Sequence, residues 1–413
     1  MIRYELKKIF GGVGGKIALL LLVVTVVASC WSAVNGYGTS WVNEQGKEET
    51  GFAAARKLRA ARKEWAGTLD TGLLTKAIQE NQRIEATPEA QSNNDDLNNI
   101  AFGWKQGISD IRDVVYQFLS KEFQDYNYYL ADSISLSRLP ELYENRVRLL
   151  EDFIYGDPYN SAYNMFTDRE KAWLIEQYEA LETPMEYDYF LGWNRMAETS
   201  PTIIMLIFMI LGYLVAGIFA NEFKWRSDSI YFSTMLGKNV SIRAKIVTAT
   251  VLISAVYWAC MTAYSLFTLC YLGFDGWNCP VQLARWKCFY NVTFLEQYIL
   301  ILLGGYLGTL FSMFVVMWVS SKTRSSVVAV TVPFILIFLP NFFQNSEGTL
   351  LGDILGILPD RLLQINYSLN YFDVYTLGNK VIGSVPIMFA LYTLLSLALA
   401  PVLYWEYKRK EII

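Results

Sequence analysis

The sequence predicts an all-α polytopic membrane protein with six transmembrane helices and a large, mostly helical extracytoplasmic domain between helices 1 and 2. Three observations predict it. The chain carries six apolar runs, of which Thr202 to Ala220 is free of charge throughout. At 1.5 Å rise per residue that run is about 28 Å long, close to the roughly 30 Å hydrocarbon thickness of a bilayer. A single long polar insert, residues 37–200, separates the first run from the second and holds 28 acidic against 17 basic side chains. The segments 1–16, 221–245, 320–325 and 406–413 instead hold 14 basic against 5 acidic. Short basic loops stay inside, so both termini are expected in the cytoplasm and the acidic insert outside.

Taken in order, residues 1–16 begin MIRYELKKIF, an amphipathic segment that can lie on the cytoplasmic surface. Ile2, Leu6, Ile9 and Phe10 can face lipid while Arg3, Lys7 and Lys8 stay near anionic headgroups. The following GGVGGK lacks the G-x-x-x-x-G-K-[ST] spacing of a phosphate loop, so it reads as a hinge into the membrane. Residues 17–36 form the first span, read as an uncleaved helix because its apolar core is long for a secretory signal.

Residues 37–200 form the outer domain. Helical spacing recurs in Gly51 to Trp65, with Phe52, Ala55, Leu58 and Arg62 on one stripe, in Ile108 to Leu130 and in Leu139 to Ile154. Asp168 to Leu181 adds a short helix with an acidic start. The domain is rich in tyrosine, which suits either a binding surface for an amphipathic ligand or internal aromatic packing. The second span covers 201–220, and a basic cytoplasmic segment follows at 221–245. Spans 3 to 6 cover 246–272, 294–319, 327–342 and 381–405. They are joined by an outer loop at 273–293, a cytoplasmic loop at 320–326 and an outer loop at 343–380, with a cytoplasmic tail at 406–413. The fifth span is short and contains Pro333 and Pro340. In the loop after it, Leu350 to Leu363 is broken by Asp353, Gly356, Pro359 and Asp360, which fits a re-entrant or interfacial helix.

The chain has no histidine, which removes the commonest proton-transfer group near pH 7 and the commonest metal ligand. No catalytic set stands out and no metal site is expected. Charge is nearly absent inside the spans; Glu296, at the outer edge of span 4, is a weak candidate for ion coupling. Cys30, Cys260 and Cys270 read as packing residues, whereas Cys279 and Cys288 share an outer loop where a disulfide is chemically allowed. Gly304 and Gly308 have the spacing that lets two helices approach closely, within the chain or between copies. In the segment 221–245, Glu222, Lys224 and Arg226 precede an apolar patch of Ile230, Tyr231, Phe232, Met235 and Leu236. Gly237, Lys238, Arg243 and Lys245 follow. Such a patch can lie on lipid or enter a groove on a cytoplasmic partner.

This arrangement resembles the permease subunit of ABC-2 type ABC transporters. The likeness rests on the basic amphipathic start, the large outer domain after span 1, and Glu222 after span 2. It also rests on "TMLGKNVSIRAKIV", similar to the family's S-P-x-S-R-x-x-x-x-x-K stretch, with Gly237 and Lys238 in place of its Ser-Pro-like turn. The resemblance implies half of a translocation path in a bacterial plasma membrane. It implies pairing with a second permease copy or related permease. A cytoplasmic ABC ATPase, which would bind ATP and Mg, is expected to dock through Glu222, Arg226, Ile230, Tyr231, Phe232, Met235, Leu236, Lys238, Arg243 and Lys245. No enzymatic step is then expected in this chain, and no nucleic-acid partner. The acidic, tyrosine-rich outer domain suits a peptide, such as an antimicrobial peptide, or a lipid-like amphipathic substrate. The alternative is a binding, sensory or immunity protein whose outer domain captures a ligand without transport.

Overall fold

The computed structural model describes residues 1–36, 38–125, 127–156, 162–226, 233, 237–343 and 349–409. A surface helix, α1 (Ile2–Gly11), turns sharply into α2 (Val13–Val34). The turn needs glycine: a Cβ on Gly14 would run into the Tyr213 hydroxyl, and one on Gly15 into the Ile9 carbonyl. The long helices α10 (Leu191–Lys224), α11 (Ile242–Leu272), α12 (Phe294–Thr323) and α17 (Ser384–Lys408) complete the bundle with α2. These five are long and apolar enough to cross a membrane. α10 is the central one, packing against α2, α11, α12 and the short helix α13 (Ser326–Phe338). On α2, Leu20, Leu21, Val23, Val24 and Val27 stay exposed, as do Leu394 and Leu397 on α17. Apolar side chains left outside on an all-apolar helix suit a lipid-facing surface.

The fifth expected span is corrected. α13 has 13 residues, about 20 Å of rise, which is too short to cross alone. It ends just before Pro340, which opens a 3₁₀ turn to Phe343. Its Pro333 sits on the central helix, where a Cβ on Gly212 would lie 2.5 Å from the Pro333 Cγ. Short pieces follow: α14 (Leu350–Leu355), α15 (Pro359–Leu363) and α16 (Ile365–Ser368), then a hairpin of β5 (Val374–Leu377) and β6 (Lys380–Gly383). The chain nevertheless travels the full height of the bundle here. Ser326 lies beside the last turn of α12, whereas Val385, at the start of α17, donates its N–H to the Tyr290 hydroxyl at the opposite end.

A broken helix leaves backbone carbonyls to satisfy. Tyr392 donates to the Ile357 carbonyl (2.8 Å), Tyr375 to that of Asp353 (2.8 Å), and Ser368 to that of Arg361 (2.9 Å). α15 and α16 lie on α12, where Gly304 faces Ile365 and Leu362 and Gly308 faces Leu363. The small-residue face is therefore filled by the chain's own short helices. Glu296 closes a capping box with Thr293 at the start of α12, an N-terminal stop rather than a mid-bundle charge.

The region between α2 and α10, called the outer region for its place outside the bundle, is helical; among the described residues it holds two short strand pairs, β1–β2 (Trp41–Val42, Glu48–Glu49) and β3–β4 (Gly67–Thr68, Glu186–Tyr187). Its helices are α3 (Phe52–Lys63), α4 (Thr71–Glu85), α5 (Asp95–Lys105), α6 (Ser109–Phe118), α7 (Leu130–Ser133), α8 (Leu142–Tyr155) and α9 (Asp168–Glu179). On α3, Ala55, Leu58 and Arg62 turn inward as their spacing predicts, while Phe52 is exposed against Tyr271 of α11. Arg62 is held by Asp110 (2.9 Å), which also accepts from the Tyr187 hydroxyl (3.1 Å). Among the described tyrosines of this region, Tyr116, Tyr178, Tyr187 and Tyr189 are buried, Tyr128, Tyr143 and Tyr163 are half-buried, and Tyr129 and Tyr155 are exposed.

This region is clamped to the bundle. Arg146 of α8 is 1% exposed and donates to the carbonyls of Trp286 (3.0 Å) and Cys288 (3.0 Å) in the α11–α12 loop, and to that of Tyr178 (3.3 Å). Its guanidinium lies 3.9 Å from the Tyr178 ring centre. Tyr178 donates to the Lys287 carbonyl (2.7 Å) and Asn291 to that of Gln177 (2.9 Å). Cys279 and Cys288 are both buried free thiols, so the allowed disulfide is not formed.

Candidate functional site

The strongest concentration of buried charge in the bundle lies at the end that carries both termini. It begins with an electrostatic problem. Glu222 sits in the last turn of α10, where the backbone carbonyls already make the field negative. Lys245 sits in the first turn of α11, where the backbone N–H groups make it positive. Each charge is at the unfavourable end of its helix. They offset this by pairing: Lys245 Nζ lies 2.8 Å from Glu222 Oε1 and donates also to the Ile218 carbonyl at 2.7 Å. Lys245 is 1% exposed and Glu222 5%, so the pair is shielded from water.

The amphipathic α1 completes the cluster. Leu6, Ile9 and Phe10 pack against the core rather than facing outward, which lays Glu5 and Lys8 over the pair. Ile2 alone of the expected lipid-facing set is exposed. Glu5 Oε2 lies 3.4 Å from Lys245 Nζ; Lys8 Nζ lies 3.1 Å from Glu5 and 3.2 Å from Glu222. Burial alone would lower the Lys8 pKa, but the two carboxylates outweigh it and raise it above its ordinary value. Two acids and two bases thus tie α1, α10 and α11 together. A cavity of about 520 Å3 opens beside them, reaching Gly12, Tyr213, Asn221 and the start of α13.

The C-terminal helix braces the same end. The Tyr407 ring packs at a tilt of 55° on that of Phe219, with ring centres 4.5 Å apart, and its hydroxyl donates to the Phe219 carbonyl (3.3 Å). Tyr404 donates to Asn239 (3.1 Å), and Glu406 pairs with Lys322.

Of the residues the sequence singled out, Glu222 and Lys245 meet in this cluster, but as buried partners rather than a docking face. Arg243 is exposed, with its guanidinium 5.3 Å from the Tyr404 ring centre. Arg226 is exposed and left-handed, with φ of 53°. The backbone of Lys238 lies in a π-helical turn, Gly237–Ser241. Ile230, Tyr231, Phe232, Met235 and Leu236 lie outside the described residues. Sequence reasoning missed Glu5 and gave Lys8 to lipid headgroups, whereas it turns to Glu5 and Glu222. The signal available was a lone acid inside a basic start, three residues from a lysine. No group of three or more metal-binding side chains comes together among the described residues. No family model, no curated protein and no solved structure matches the chain.

Proposed function

We propose that this protein is the membrane-spanning half of an ATP-driven exporter of the ABC-2 kind, moved by a separate cytoplasmic ATPase. The observation that carries the reading is the charge cluster joining α1, α10 and α11. It stands where the basic segment 221–245 leaves α10 and enters α11, so a push on that segment would reach three elements at once. On this reading the termini end faces the cytoplasm, and α13 with α14–α16 makes the sixth crossing as a broken helix. The supports are the basic character of the termini end and the even number of passes that a chain with both ends together requires. ATP and Mg belong to the ATPase, a second permease copy or relative completes the path, and the cargo is a peptide or lipid-like amphiphile.

The test is isolation of the intact complex in mild detergent with every subunit identified by mass. An ATPase subunit is expected, with ATP hydrolysis lost from the complex of Glu222→Gln while that variant still reaches the membrane. Recovery of the chain alone, or labelling of Arg226→Cys by a membrane-impermeant thiol reagent from outside intact cells, would sink the reading.

A further inference from the structure

At the opposite end, a second cavity of about 640 Å3 opens between the outer region, the end of α13, the short helices α14–α16 and the β5–β6 hairpin. Its charged lining is acidic: Glu170, Asp353, Asp360 and Asp373 against the single cation Arg361. Three of the acids have evident occupations or open exposure. Glu170 caps α9 and accepts from Thr376 (2.8 Å), Asp373 has a bonding partner of its own, and Asp353 lies in the open.

Asp360 is different. It is 4% exposed, yet one of its carboxylate oxygens has no hydrogen-bond partner. It forms no ion pair among the described residues. Arg361, its neighbour, lies instead over the Tyr371 ring, 4.7 Å from the ring centre. A carboxylate oxygen out of water and unpaired costs a large fraction of its hydration, so such groups are ordinarily met by a donor. The walls above it are aromatic and apolar, including Phe166, Phe343 and Phe372. A cavity of this size, walled partly by aromatic rings and partly by polar groups with a buried acid among them, has the form of a small-ligand site.

We propose that this cavity binds a cationic amphiphile, a molecule with one ammonium or guanidinium group on an apolar or aromatic body. The cation takes the free oxygen of Asp360 and the body lies against the aromatic walls. The exposed Asp353 and the net negative rim draw the positive charge inward. As a cargo site it rests on the exporter reading and sharpens that reading's substrate class; occupancy itself does not need an ATPase. Binding is therefore measured on the purified full-length chain alone, so its failure leaves the ATPase test untouched.

The probe is rhodamine 6G, a monocationic amphiphile, followed by fluorescence polarisation, with anionic fluorescein as its charge-reversed counterpart. Saturable binding of rhodamine 6G is expected, with fluorescein at least about tenfold weaker. Asp360→Asn is expected to weaken rhodamine 6G about tenfold or more, as loss of one charge-assisted hydrogen bond predicts. Asp360→Glu is expected to recover part of it. A second measurement uses the unaltered protein and so does not depend on a variant folding. Dicyclohexylcarbodiimide modifies carboxyl groups in apolar surroundings, and rhodamine 6G should slow formation of the Asp360 adduct read by mass spectrometry. Equal binding of the two dyes, unchanged affinity in Asp360→Asn, or an adduct rate indifferent to rhodamine 6G would each overturn the proposal.

Discussion

The two ends of the bundle differ in how far their buried charge is paired within the chain. At the termini end, Glu222, Lys245, Glu5 and Lys8 are joined in one cluster that alternates in sign. At the domain end Arg62 and Asp110 pair in the same way, but two buried charges are met by other means: Arg146 by backbone carbonyls and a tyrosine face, Asp360 in part by nothing. The difference teaches how to read them. A closed ion cluster binds elements to one another, since removing one member leaves the rest with a charge in excess. A cation dissolved in carbonyls fixes a loop without needing an acid. An acid left open beside a cavity has capacity for something outside the chain.

The largest break in this comparison comes from the closed cluster. Lys245→Met leaves the half-exposed Lys8 as the one base facing both Glu222 and Glu5 and is expected to cost about 3 kcal/mol, the low end for a broken buried pair. The cost should be read as a fall in thermal midpoint in detergent. The double variant Lys245→Met with Glu222→Gln should recover much of the loss, because one acid and one base, Glu5 and Lys8, then remain. A double variant no more stable than the single one would show that the pair is not what holds the end together.

The domain end responds to pH in a way the closed cluster does not require. Asp113 of α6, pushed up to about 7, is raised by burial first and by neighbouring Asp110 second, with Arg62 and Arg112 opposing. Its folded pKa lies above its unfolded one, so the folded state holds the proton more tightly. That contribution is fully present below about pH 4 and is lost as pH rises from there to about 7, on the order of 2–4 kcal/mol. Asp113→Asn should flatten the fall in stability across that window. An unchanged pH profile in the variant would assign the effect elsewhere.

A smaller change sharpens the boundary between the two ends. Gly304→Ala would place a methyl 2.6 Å from the Ile365 Cγ1 and 3.1 Å from the Leu362 carbonyl. Overpacking of this kind costs about 1–3 kcal/mol. The expected outcome is faster proteolysis within residues 350–368 and an unaltered thermal response of the termini end. A variant as resistant as the parent would mean that α15 and α16 adjust freely on α12.

Much of this architecture is legible in the residues. Uninterrupted apolar runs mark α2, α10, α11, α12 and α17 because lipid-facing and buried faces of a spanning helix share one chemistry. Helical spacing marks Ala55, Leu58 and Arg62 for the converse reason: in water the buried and exposed faces differ, and the difference repeats with the helical period. The fifth span is misread because Val327 to Phe342 is apolar enough to cross, yet the helix is cut short at Pro340. Hydropathy registers composition, while a helix end is decided by a missing N–H. α10 is longer than its apolar run because Leu191 to Ser200 continues the helix into the outer region, where polar side chains are allowed. The site was half visible. Glu222 and Lys245 stand out in a basic segment, but their meeting with Glu5 joins residues 240 positions apart, and no local pattern carries such a contact. The tyrosines of the outer region drew attention by number, whereas their burial follows from packing that only the assembled helices reveal.

The glycine track on α12 carries one more consequence. On the string of letters it suits a close neighbour either within the chain or from a second copy, and Leu362, Leu363 and Ile365 of the same chain fill it. A second copy lying alongside would have to meet this one elsewhere, on surfaces such as the bare aliphatic flanks of α2 and α17. Bulky substitutions there, rather than at the glycines, are the ones that should keep two copies apart.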